Sequence, residues 1–118
     1  MPTKVLIVED EFLIRLTLSE ALADEGFEVL EAEEGEAALH LLHEDPSVSL
    51  LLTDMQLPGP MDGRALAAAA RKARPDLPVI YTSGRPDADI RGPRDMFLAK
   101  PYLPSDIISA VRRMTGSP

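Results

Sequence analysis

At 118 residues without a cysteine, the chain is sized for one domain (1–118) with a two- or three-layer core, and it can hold neither a disulfide nor a thiolate metal centre. A formal charge of -8 at pH 7 argues against a nucleic-acid surface, which needs clustered Lys and Arg, so the short clusters Arg71, Lys72, Arg74 and Arg112, Arg113 are expected to be solvated helix faces. No apolar stretch approaches a membrane span, and Met1, Pro2, Thr3, Lys4 lead straight into a strand, so the sequence reads as a soluble cytoplasmic domain.

Lys4 to Val8 is a continuous apolar strand, followed by a helix from about Phe12 to Glu25 that Gly26 terminates. Ile14, Leu18, Ala21, Leu22 and the stem of Glu25 recur at helical spacing as a core stripe. Phe12, Leu13 and Leu16 fall outside that stripe, where they could form a docking surface. Phe27 to Ala32 is a second strand, and Gly35 to Leu42 a short helix with Ala38, Leu41 and Leu42 inward. His40 and His43 lie on or just after that helix without a third ligand nearby, so they read as surface residues and not a metal pair. Asp45, Pro46, Ser47 turn the chain into the central strand, Leu50 to Asp54, whose apolar run is bounded by Pro and Gly as expected of a fully buried strand. An alanine-rich helix from about Arg64 to Ala73 is stopped by Pro75. Pro78 to Thr82 forms a fourth strand ending in Ser83, Gly84. Pro86, Gly92 and Pro93 limit any helix in Arg85 to Asp95 to one or two turns. Met96 to Ala99 is the fifth strand, and Ser105 is expected to cap a last helix with Ile107, Ile108, Val111 and Met114 inward.

Strands alternating with helices imply an α/β fold, a five-stranded parallel sheet covered by helices on both faces. Ligands of such sheets bind beyond the carboxyl ends of the strands, where the strand order reverses. Glu9 and Asp10 follow the first strand and Asp54 ends the third. Three carboxylates in one cleft repel unless a cation sits among them, and an oxygen-only set favours Mg2+, or Mn2+, over Zn2+. Ser83 supplies a hydroxyl and Lys100 a positive charge at the same edge, an arrangement that would stabilise a phosphoryl group passed to Asp54 as nucleophile.

Taken together, Glu9, Asp10, Asp54, Ser83 and the Lys100, Pro101 pair resemble the pattern of receiver domains of bacterial two-component response regulators, over essentially the whole chain. The resemblance implies a flavodoxin-like doubly wound sheet in the order 2-1-3-4-5. It implies that Asp54 accepts a phosphoryl group from a phosphohistidine on a sensor histidine kinase or histidine phosphotransfer protein. It further implies Mg2+ held by Asp10, Asp54 and the backbone carbonyl of Gln56, with Glu9 acting through water. Lys100 would bridge Asp54 or its phosphate ahead of a cis peptide to Pro101, Ser83 would swing onto the phosphate, and Phe97 would change rotamer in response. The family assists its own phosphorylation and dephosphorylation but is not usually counted as enzymatic, so no enzyme is expected.

Several departures qualify the match. The loop Pro58, Gly59, Pro60, Met61, Asp62, Gly63 is one residue longer than the family's commonest form, and the positions that influence phosphoryl lifetime carry Gln56 and Arg85. The irregular Arg85 to Asp95 segment stands where a fourth helix is often well formed, and its ordering is expected to belong to the signal. A flavin carrier on the same fold would need a Ser, Thr and Gly-rich loop in place of Glu9, Asp10, Glu11, and an aspartate-nucleophile phosphohydrolase would need an acid at Gln56. An unphosphorylated interaction module is the other alternative. Met1 favours an independent protein or an amino-terminal receiver, while the downstream target, and whether the chain forms a homodimer, stay open.

Overall fold

The computed structural model describes residues 2–85, 90 and 92–117. Along them run β1 (Lys4–Val8), α1 (Phe12–Asp24), β2 (Glu28–Ala32), α2 (Gly35–Glu44), β3 (Leu50–Asp54), α3 (Gly63–Ala73), β4 (Val79–Ser83), β5 (Asp95–Ala99) and α4 (Pro104–Thr115). All strand pairs are parallel, in the order β2-β1-β3-β4-β5, with Val5 opposite Leu50 and Leu51 opposite Val79. The order reverses between β1 and β3, so their carboxyl ends flank the crevice.

Period-two alternation along the strands builds two cores. Leu6, Val8, Leu51, Val79 and Tyr81 pack against Ala38 and Leu42 of α2 and Leu66, Ala67 and Ala70 of α3. Val5, Ile7, Leu50, Leu52 and Ile80 face the other way, onto Leu18 and Leu22 of α1 and Ile107, Ala110 and Val111 of α4. Because β1 and β3 are covered on both faces, each apolar residue in them is buried, worth about 1.5–3 kcal/mol for a Leu or Ile side chain. The alanines of α3 let its backbone approach the sheet closely.

Several element ends differ from the sequence reading. Helix α1 stops at Asp24, and Glu25 is not part of the core: its carboxylate lies exposed, 2.8 Å from the Arg112 guanidinium. Ile14, Ala21 and Leu41 are half-buried. Strand β2 begins at Glu28, and β4 lies one residue further along than expected, so that Ser83 ends it and Pro78 contributes only its carbonyl, to Leu51 N–H. Ser105 does not cap α4. Pro104 takes the first helical position, where its fixed φ favours the helix, and Leu103 is the N-cap, its N–H donating to the Asp106 carboxylate at 2.9 Å.

Nor are the basic clusters simply solvated. Arg71 donates to the Leu77 and Arg94 carbonyls and pairs with Asp95 at 2.7 Å, tying α3 to the starts of β4 and β5. Arg74 holds the Val48 carbonyl. His40 and His43 are exposed as expected, His40 sitting 2.6 Å from Glu44 one turn on. The expectations of a short helix and of ordering between Arg85 and Asp95 fall chiefly on residues 86–89 and 91, outside the described residues.

The amino edge of the sheet is held by a small ionic cluster. Lys4 Nζ lies 2.7 Å from Asp45 and 2.8 Å from Ser47 Oγ, and Asp45 also accepts the Ser47 N–H. The Lys4 hydrogen bond, followed by those from Ser47, lowers the Asp45 carboxyl from 3.8 to about 2. A lowered acid contributes stability that is present above its unfolded pKa and lost as pH falls through the folded value. Asp45→Asn should therefore flatten the fall of the unfolding midpoint between pH 3.8 and about 2, as read by thermal melts across that window; an unaltered acid limb would remove Asp45 from it.

Candidate functional site

The side chains that carry chemistry continue the apolar rows of the strands past their ends. Glu9 extends the Val5, Ile7 row, Asp54 the Leu50, Leu52 row, and Lys100 the Met96, Leu98 row, all on the side covered by α1 and α4. The three meet: Lys100 Nζ is 2.9 Å from Glu9 Oε1 and 2.8 Å from Asp54 Oδ2. Glu9 is 2% and Asp54 6% exposed, whereas Asp10 opens to solvent. One oxygen from each of Glu9, Asp10 and Asp54 lies within 4.8 Å of the others. This all-oxygen set, open on the Asp10 side and with a single lysine against it, fits a hard divalent cation.

Burial pushes the Glu9 carboxyl above its ordinary 4.5, aided by the Asp54 charge and opposed by the hydrogen bonds from Lys100 and the Glu11 N–H. Burial also works against the Lys100 ammonium, but its bonds to Asp54 and Glu9 outweigh that and raise its pKa. Lys100 is thus a fixed positive charge at the centre of the site. Its peptide bond to Pro101 is cis, as the resemblance implied.

Ser83 ends β4, on the row of Val79 and Tyr81 that faces α2 and α3. Its Oγ donates to Gln56 Oε1 at 2.8 Å and accepts the Arg85 N–H at 3.0 Å. The Gln56 N–H in turn donates to Asp54 Oδ1 at 3.1 Å. Phe97 is half-buried on the same face, opposite Tyr81 in the β4–β5 register.

Gly63 brings α3 against the acceptor strand. A Cβ there would collide with the Asp54 carbonyl and stand 2.9 Å from Met55 Cα, and the Gly63 N–H closes onto Met55 O at 3.0 Å. Asp62 caps α3 by accepting the Ala65 N–H, and the longer loop before it turns at Gly59, whose φ of +83° suits glycine.

Two further residues escaped the sequence reading. Tyr102 packs beside Lys100, its phenol pushed up to about 12 by burial, against the Lys100 charge. Arg15 is buried in α1 and reaches the Glu9 carbonyl. Next to the site a groove of about 500 Å3 runs between α1 and the β5–α4 connection, lined by Leu13, Ile14, Thr17, Pro101, Tyr102 and Pro104, with Lys100 bordering it. Phe12, Leu13 and Leu16 are 60%, 73% and 36% exposed. Of the three only Leu13 lines the groove, and the Phe12 ring lies instead over the Arg15 guanidinium.

Residues 5–112 match the response regulator receiver domain family. The chain belongs to that family. Receivers act in two-component phosphorelay signalling, and this one is 36% identical over 118 residues to the response regulator receiver protein CpdR of Brucella abortus (strain 2308), covering 94% of this chain and 95% of CpdR. The sensor kinase CckA of the same strain is 36% identical over 116 residues, which cover 93% of this chain but 12% of CckA. A solved response regulator receiver protein from Sinorhizobium medicae WSM419 superposes with a TM-score of 0.90 at 28% identity, over 98% of this chain and 96% of that one. No helix among the described residues is long and apolar enough to cross a membrane.

Proposed function

We propose that this receiver takes a phosphoryl group on Asp54 from a phosphohistidine of a sensor histidine kinase or histidine phosphotransfer protein. The observation that carries this reading is the meeting of Glu9, Asp54 and Lys100 at the β1, β3 and β5 ends, beside an open carboxylate, Asp10. An Asp54 carboxylate oxygen attacks phosphorus, an O–P bond forms as the P–N bond breaks, and the imidazole leaves with that electron pair. Lys100 is placed to neutralise charge on the phosphoryl oxygens once Asp54 is esterified. Asp10, Asp54 and the Gln56 carbonyl would hold Mg2+, or Mn2+, with Glu9 acting through water; the ion when bound offsets charge on acceptor and phosphoryl group. We read the domain as a cytoplasmic signalling module and not an enzyme, with 1–118 forming one receiver. The donor's histidine-bearing surface docks on Leu13 and the groove it lines, which Lys100 borders.

In the state described here Ser83 is satisfied by Gln56, so to donate to a phosphoryl oxygen it must leave that acceptor. Its bond to Gln56 is part of a two-state element biased by new charge, with Phe97 responding next to Tyr81. Removing a competing hydrogen bond of this kind is worth about 0.5–1.5 kcal/mol. Gln56→Ala should therefore tighten binding of beryllofluoride, a phosphoryl mimic, by up to about tenfold. Fluorine NMR titration gives the affinity, and a weaker or equal value would show that Gln56 does not restrain Ser83.

The direct test of the proposal is intact mass after incubation with acetyl phosphate and Mg2+. A single phosphoryl addition that excess EDTA prevents is expected. If none forms, with acetyl phosphate or with a phosphorylated histidine phosphotransfer protein, the domain acts as an unphosphorylated interaction module.

A further inference from the structure

Arg15 has no part in the chemistry above, yet it is 7% exposed in a helix whose other charged side chains face water. Its three guanidinium nitrogens go to three separate acceptors. Nη1 donates to the Glu9 carbonyl at 2.8 Å, Nε to Glu31 at 3.0 Å, and Nη2 to Glu33 at 3.3 Å. Ser19 steadies Glu31 from the next turn of α1, and the Phe12 ring covers the guanidinium at 5.6 Å.

The first of these bonds has a consequence for the site. The Glu9 carbonyl belongs to the peptide plane that leads into Asp10, and it lies just past the last β1 residue, where the ladder no longer supplies a partner. The Glu9 N–H is taken by the Ala32 carbonyl at 3.1 Å, Oε2 accepts the Glu11 N–H at 3.2 Å, and Oε1 faces Lys100. With Arg15 on the carbonyl, every polar group of Glu9 is engaged, and the direction in which the chain presents Asp10 is fixed from α1.

We propose that Arg15 is a positioning residue for the acid pair, setting through the Glu9 carbonyl where Glu9 and Asp10 stand toward a divalent cation. This rests on reading Glu9, Asp10 and Asp54 as the cation site. A planar fork is needed because a point donor cannot serve the carbonyl and two carboxylates together. Partners of this kind behind metal-binding groups govern affinity by orientation.

Charge and position predict opposite signs. Deleting a cation near three carboxylates should, by Coulomb attraction alone, tighten a divalent ion, whereas losing the carbonyl bond should weaken it. Mn2+ affinity of the whole chain, read from the EPR signal of free Mn2+, separates the two. Arg15→Met should bind Mn2+ about tenfold more weakly than wild type. Arg15→Lys should recover part of that loss, and the double variant Glu31→Gln, Glu33→Gln, which keeps the carbonyl bond, should stay within about twofold of wild type. Equal or tighter binding by Arg15→Met, or an equal loss in the double variant, would overturn the proposal. Where circular dichroism shows Arg15→Met unfolded, Arg15→Gln takes its place with the same two outcomes. A wild type that binds no Mn2+ would instead remove the cation site itself, and this inference with it.

Discussion

If Asp54 is the acceptor we propose, Asp54→Asn should abolish phosphoryl addition while leaving the fold at least as stable as before. The amide keeps the shape of the carboxylate and its one oxygen can still accept the Gln56 N–H, while its NH2 cannot accept from Lys100, which keeps Glu9 as its partner. What is lost is the anionic oxygen that, in the proposed transfer, attacks phosphorus. Transfer from acetyl phosphate should fall by at least about 10³-fold, the scale on which loss of a nucleophile is read. Stability moves the other way because Asp54 and Glu9 are two buried carboxylates facing one lysine. Burial, and to a lesser degree the Asp54 charge, hold the Glu9 carboxyl above its ordinary range; removing that charge relieves Glu9 and leaves Lys100 paired with it. Intact mass and a thermal melt of the same sample check both halves. Residual addition at another residue would displace Asp54 as acceptor, and a lowered midpoint would show that its carboxylate stabilises the metal-free fold.

The sheet was legible because its information is local and repeated. Each strand is a short apolar run closed by a breaker, and the carboxyl edge is marked by Glu9, Asp10, Asp54, Ser83 and Lys100 in turn. That Glu9, Asp54 and Lys100 would touch was also within reach, since each continues its own strand's row onto one face. Arg15 was harder. A cation on an amphipathic helix is ordinarily solvated, and only its spacing to Leu18 and Leu22, which is that of a core row, betrays it. The partners that justify burying it come from β1, β2 and the connection after β2, which sequence proximity does not reveal. Arg71 illustrates the same limit, because its carbonyl partners at Leu77 and Arg94 exist only once β4 and β5 lie side by side. The start of α4 was misread for a different reason. Ser105 is a good cap in isolation, but Pro104 can begin the helix itself, and an Asp at Asp106 satisfies the Leu103 N–H.

Lys100→Met should cost both chemistry and stability, and the stability cost should depend on pH. In the wild type the ammonium sits between two carboxylates that are almost fully buried, and its removal leaves them without a countercharge. Breaking a buried pair from one side typically costs about 3–5 kcal/mol, and with the Lys100 side chain 22% exposed the lower end is expected. Glu9 is already raised, and losing Lys100 raises it further. A raised carboxyl contributes stability that is complete below its unfolded pKa and is lost as pH rises through the folded value. The variant should accordingly match wild type most closely below pH 4.5 and fall behind as pH climbs to neutrality. Added Mg2+ should recover part of the deficit, because an ion bound only by the folded state stabilises it by mass action. Urea unfolding at acid and neutral pH, with and without Mg2+, measures all three. A deficit of the same size at both pH values would mean that Lys100 acts through packing of its stem, and that the charges of Glu9 and Asp54 are balanced elsewhere. For transfer, loss of a preorganised charge of this kind is worth about 10²–10³ in rate. The phosphorylation rate relative to wild type should therefore stay low at neutral pH even where Mg2+ restores part of the stability, which separates the role of Lys100 in chemistry from its role in holding the site together.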